Sequence, residues 1–153
     1  MNQFDTHEFK NMQMHPKDTG GSFFEIDQQL GKGALDPDGP WEPAGGANWK
    51  KAQRTDRVAR IAGAEIQCDD PAKVAARWAE IAELRVGAGK QPTLELDNAT
   101  LRFVPCSDGR PEGLGGLDLV ANDRAAILAT AKSRGVKTNG NQVHSCGMRF
   151  NLV

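Results

Sequence analysis

At 153 residues, with 39% hydrophobic and 25% charged residues, the chain has the size and composition of one globular domain, which excludes general disorder. The formal net charge of -1 gives no bulk attraction for a polyanion, so a nucleic-acid partner is not expected. No apolar run approaches the roughly 18 residues that span a bilayer, and the opening MNQFDTHEFK lacks the regions of a signal peptide, so the expectation is a cytoplasmic chain without a membrane partner.

Two strands are predicted first, over 8–14 and 22–28, joined by the turn HPKDTGG. Alternation along the second strand puts Phe23, Glu25 and Asp27 on one face, with Phe24 and Ile26 on the other. Residues 30–58 are dense in Gly and Pro and read as a long connector, for which Trp41 and Trp49 are the expected anchors. The basic residues Lys50, Lys51, Arg54, Arg57 and Arg60 are interrupted by Asp56 and read as a solvated part of it.

From residue 61 the pattern becomes regular. A strand over 61–68 leads to Asp70 as a helix cap and Pro71 in the first turn, followed by the apolar stripe Val74, Trp78, Ile81 and Ala82. Strands over 93–96 and 100–105 are separated by Asp97, Asn98 and Ala99. Gly113 to Gly116 reads as a break before a strand over 117–122. A helix then starts at Asp123, turns Ile127 and Leu128 inward and stops at Gly135, and a hairpin closes the chain. The three cysteines, Cys68, Cys106 and Cys146, are too far apart for a zinc knuckle and read as reduced, packing thiols. His144 beside Cys146 is the weaker, nucleophilic reading.

The order strand, helix, strands thus occurs twice, over 61–105 and 114–153, and the opening hairpin has the form of the last strands of a third unit. The expected fold is α+β, with repeated β-α-β-β-β modules in a curved mixed sheet. It divides into a terminal hairpin of an incomplete module (1–29), a connector (30–58) and a two-module domain (59–153), as though the chain were abbreviated at its N-terminus. A two-stranded hairpin is marginal alone and its edges invite pairing, so a homodimer is expected.

The paired modules, and an HPKDTGG turn leading into a strand with Glu25 ten residues after His15, resemble the vicinal oxygen chelate superfamily of glyoxalases, extradiol dioxygenases and bleomycin-resistance proteins. The resemblance implies a glyoxalase-like cup and a divalent metal (Zn, Ni, Co, Mn or Fe), held by His on the first strand of a module and Glu on the last. On that pattern Glu25 is the matching last-strand ligand and catalytic carboxylate, with His15 and His7 as further metal candidates and a second chain supplying the rest. Elsewhere the pattern is unmet. The first-strand position near Gly63 has no His, although Glu65 follows on the same face. The corresponding position of the last unit is near Gly116, and Asn151 stands where a Glu is expected. Glu95 is a further possible carboxylate. The implied functions are a metal-dependent lyase or isomerase acting on a small carbonyl or thioester, a metal-free small-molecule-binding module of bleomycin-resistance type, or a family member without catalysis.

Overall fold

The computed structural model describes residues 2–153, with Asn2, Phe4 and Pro43 described by backbone only. Strands β1 (Asn2–Asp5), β2 (Phe9–Met14) and β3 (Phe24–Gln29) form an antiparallel sheet in that order. The expected hairpin is β2–β3, and β1 adds to its free side, with Asn2 opposite Gln13. The HPKDTGG turn contains a single helical turn, α1 (Pro16–Thr19). His15 caps it by accepting the Lys17 N–H on Nδ1 at 3.1 Å, while Pro16 fits the first position.

The connector folds partly on itself. Trp49 Nε1 donates to the Gly39 carbonyl at 2.8 Å, so this ring anchors the connector internally rather than to a distant surface. Trp41 remains 44% exposed. The basic residues Lys50, Lys51, Arg54, Arg57 and Arg60 are all exposed, as their composition suggests.

The second sheet has seven strands. The first half runs β4 (Val58–Cys68), α2 (Pro71–Ala82), β5 (Thr93–Glu95) and β6 (Thr100–Pro105). The second runs β7 (Gly113–Ala121), α3 (Arg124–Ser133), β8 (Thr138–Asn139), β9 (Gln142–Ser145) and β10 (Met148–Leu152). The order across the sheet is β5-β6-β4-β7-β10-β9-β8. Within each half the first and last strands, β4 with β6 and β7 with β10, are parallel, and the halves join through antiparallel β4 and β7. The result is an α+β, glyoxalase-like fold. No helix among the described residues is long and apolar enough to cross a membrane.

Both helices start where short-range chemistry places them. Asp70 accepts the Lys73 N–H at 3.0 Å and Asp123 the Ala126 N–H at 2.9 Å, each satisfying an otherwise free donor of the first turn. The α2 stripe buries Val74, Ala75, Trp78 and Ala79 against Ile66, Cys68, Leu94 and Phe103 of the sheet. The small sheet joins the same core through Phe24, whose ring meets Trp78 edge-on at 4.8 Å, while Trp78 Nε1 donates to the Gly20 carbonyl at 3.2 Å. A second core under α3 gathers Ala131, Val143 and Leu152 with Ile127, Leu128 and Phe150.

One expectation is overturned here. Gly113 to Gly116 is not a break but the start of β7. Gly116 lies opposite Glu65 on β4, and a Cβ there would come within 3.0 Å of both Glu65 Oε2 and Arg149 Cβ. The Arg149 backbone carbonyl would lie closer still, so the glycine admits the β10 backbone as well as the Glu65 side chain.

Candidate functional site

On β4, Ile66 and Cys68 face α2, so Glu65 and Gln67 point to the helix-free face of the sheet. The same alternation sends Arg102 of β6, Asp118 of β7, and Arg149 and Asn151 of β10 to that face, while Leu101, Phe103, Leu119, Phe150 and Leu152 pack beneath helices. The strand register brings these residues together. Glu65 pairs with Arg102, Asp118 with Asn151, and across the seam Gly63 with Asp118 and Glu65 with Gly116. The arrangement is nearly two-fold, each carboxylate standing opposite a glycine.

At its centre lies a guanidinium. Arg102 Nη2 donates to Glu65 Oε1 at 2.9 Å and to Asp118 Oδ1 at 2.8 Å, and its Nη1 donates to Asp118 Oδ2. The Asn151 amide bridges the same two acids, at 3.0 Å to Glu65 Oε1 and 2.8 Å to Asp118 Oδ1. Arg149 Nε completes Glu65 by donating to Oε2 at 2.8 Å. Every carboxylate oxygen of the pair therefore has a donor, which a buried ionised acid requires. Asp118 is 5% exposed, so these bonds are shielded from water.

Burial alone would raise the Glu65 carboxyl, but hydrogen bonds from Arg149, Arg102 and Asn151 outweigh it and hold the group below its ordinary value. Asp118 is lowered in the same way, with burial opposed by Arg102 and Asn151. The bond to Asp118 raises Arg102 further. The three groups are charged together.

A divalent cation of the kind the fold family implies does not fit this donor set. The carboxylate oxygens are already bonded to two guanidinium groups and an amide N–H, and the position between the acids is held by a permanent cation that cannot act as a ligand. Among the described residues, no three His, Cys, Asp or Glu side chains are grouped to hold a metal.

The residues expected to bind metal lie outside this network. Glu25 is exposed on β3 and accepts a hydrogen bond from Gln13 Nε2 at 2.7 Å. His15 uses Nδ1 to cap α1 and meets Phe23 edge-on, and His7 is exposed beside Glu8. Glu95 accepts from the Thr100 hydroxyl at the sheet margin. Of the positions named from the sequence, Gly63, Glu65, Gly116 and Asn151 converge. Arg102, Asp118 and Arg149 were missed. Their signal is a lone charge between apolar neighbours in a strand: Leu101-Arg102-Phe103, Leu117-Asp118-Leu119, Met148-Arg149-Phe150.

The thiols divide by position. Burial, with Glu112 and other acids nearby, pushes Cys68 up to about 12, so it packs rather than reacts. Cys106 is half-buried and Cys146 exposed. Cys146 sits in the β9–β10 turn at φ 51°, off the strand that holds His144, so the two do not share a strand face.

Beside the network, a cavity of about 570 Å³ opens between the 106–112 loop and the β9–β10 hairpin. Arg110, Lys137 and Arg149 line it against a single carboxylate, Asp108, and Met148 adds an apolar wall. His144 also lines it, and its Nε2 is buried without a hydrogen-bond partner.

With the geometry in hand, likeness to known proteins is confined to the fold. Neither a protein family nor a curated protein matches the sequence. Among solved structures, methylmalonyl-CoA epimerase from Mycobacterium tuberculosis aligns with a TM-score of 0.51 at 15% identity, over 66% of this chain and 91% of that one. A hypothetical protein from Bacillus halodurans C-125 gives 0.44 at 14% identity, over 60% and 90%. A Streptomyces coelicolor methylmalonyl-CoA epimerase in complex with 2-nitronate-propionyl-CoA gives 0.43 at 14% identity, over 61% and 94%.

Proposed function

We propose that this chain is a metal-free small-molecule-binding module of glyoxalase-like fold, not a metal-dependent lyase or isomerase. The observation that carries the reading is Arg102, whose guanidinium lies between Glu65 and Asp118, where two acids on the central strands would otherwise converge on a cation. A fixed organic cation neutralises the acids but offers no open coordination position and no Lewis acidity, so the face is left to bind rather than to polarise. The adjoining cavity supplies space on the scale of a small ligand.

Elemental analysis of protein purified without a histidine tag, followed by titration with zinc, nickel and manganese, tests this. The expected result is no stoichiometric metal in the native chain and uptake in Arg102→His, where an imidazole replaces the cation between the two carboxylates. Native protein that takes up one metal per chain, and loses it in Glu65→Gln, would overturn the reading. A homodimer belongs to the same proposal, because β1 and β3 are the outer strands of a small sheet with backbone groups left to pair. Light scattering should give twice the chain mass, and a single-chain mass at high concentration would remove the dimer.

A further inference from the structure

The cavity beside the network holds an acid that belongs to the chain itself. Asp108 lies on the loop between β6 and β7, and its Oδ2 accepts from Arg110 Nε at 3.0 Å, from Arg110 Nη2 at 2.6 Å and from Arg149 Nη1. Its Oδ1 accepts from Gln67 Nε2 at 3.2 Å and from the Arg110 N–H at 3.1 Å. This is a complete carboxylate-binding arrangement, two guanidinium groups and an amide converging on one acid.

The donors have partners besides Asp108. Arg149 is tied to Glu65 Oε2 at 2.8 Å and to Gln67 Oε1 at 3.1 Å. Arg110 Nη2 donates to Gln67 Oε1 and to the Gly115 carbonyl, both at 3.2 Å. Gln67 is 1% exposed and also donates to the Pro111 carbonyl at 2.9 Å. Asp108 and Arg110 are both partly open to water on the surface loop, whereas Arg149 and Gln67 are largely enclosed. If Asp108 swung outward, Arg149 and Gln67 would keep these bonds, Arg110 would keep those to Gln67 and Gly115, and the cavity would present Arg110, Arg149 and Lys137 with no carboxylate among them. The orphaned His144 Nε2 adds one more polar group with no partner in the protein.

We propose that this cavity binds a small-molecule carboxylate, which enters by displacing the Asp108 carboxylate from between Arg110 and Arg149. The native acid is a tethered competitor that occupies the guanidinium pair until a ligand of the same chemistry replaces it. The inference rests on the metal-free binding reading and names its ligand class.

The test titrates the full chain and Asp108→Asn with benzoate, benzamide and inorganic phosphate at constant ionic strength, following the Nε–Hε resonances of Arg110 and Arg149. A competitor on a short tether acts at millimolar effective concentration, so its removal should tighten benzoate binding by about tenfold. Asp108→Ala should do the same, and Arg110→Gln added to Asp108→Asn should abolish the gain. Unchanged strand amide resonances in each variant establish that the fold is kept. Benzoate binding that is equal or weaker in both Asp108 variants would overturn the proposal. So would benzamide binding as tightly as benzoate, and phosphate binding as tightly would make the site a general anion site, contrary to the carboxylate assignment. Metal uptake by the native chain would defeat the underlying reading without altering the benzoate titration, so the two failures are distinguishable.

Discussion

Glu65 and Asp118 hold their protons less tightly in the folded chain than their ordinary values of 4.5 and 3.8, because charge-assisted bonds outweigh burial. The unfolded chain therefore binds more protons at acid pH, and stability rises with pH through that range. The contribution is fully present above about pH 5 and is lost as pH falls through the ordinary values toward the lowered ones. Urea denaturation midpoints should drop between about pH 5 and about pH 3. In Arg102→Met the drop should shrink, since burial then opposes the charged form with fewer donors against it. An equal drop in both proteins would show that the acid sensitivity lies outside this network.

At the scale of elements, Phe24 is the small sheet's share of the α2 core, 8% exposed and set against Trp78. Phe24→Ala should cost about 3–5 kcal/mol, the usual loss for a buried phenylalanine. Hydrogen exchange should accelerate in β2 and β3 more than in β7 and β10. Uniform acceleration would mean that the small sheet opens only with the whole chain. The helices were legible in the sequence because an Asp cap and an inward stripe coincide, as at Asp70 and Val74, and each signal is local. The start of β7 was not, because glycines at 113, 115 and 116 read as a turn when only the opposing strand reveals what they make room for. The site was half legible for the same reason. Periodicity puts Glu65 and Asn151 on one face of their strands, but only the register β6-β4-β7-β10 brings Arg102 to lie between Glu65 and Asp118. The metal expectation attached to Glu25 came from the family resemblance and called on a second chain, and its strand lies in the small three-stranded sheet, outside the network.

Across the whole molecule, the two halves meet at the β4–β7 seam, and each arginine crosses it. Arg102 of the first half grips Asp118 of the second, and Arg149 of the second grips Glu65 of the first. Alone, the second half would bury Asp118 without its guanidinium partner, and the first would leave Glu65 Oε2 without Arg149, although Arg102 would still reach Oε1. The halves should therefore not behave as separate cooperative units, despite having separate cores. The Leu94 methyl resonances report on the first core and the Val143 and Leu152 methyl resonances on the second, and the two should trace one coincident urea transition. Two separated transitions would show that the seam joins finished modules. A single one would mean that the reciprocal exchange of charge makes a repeated architecture fold as an indivisible whole.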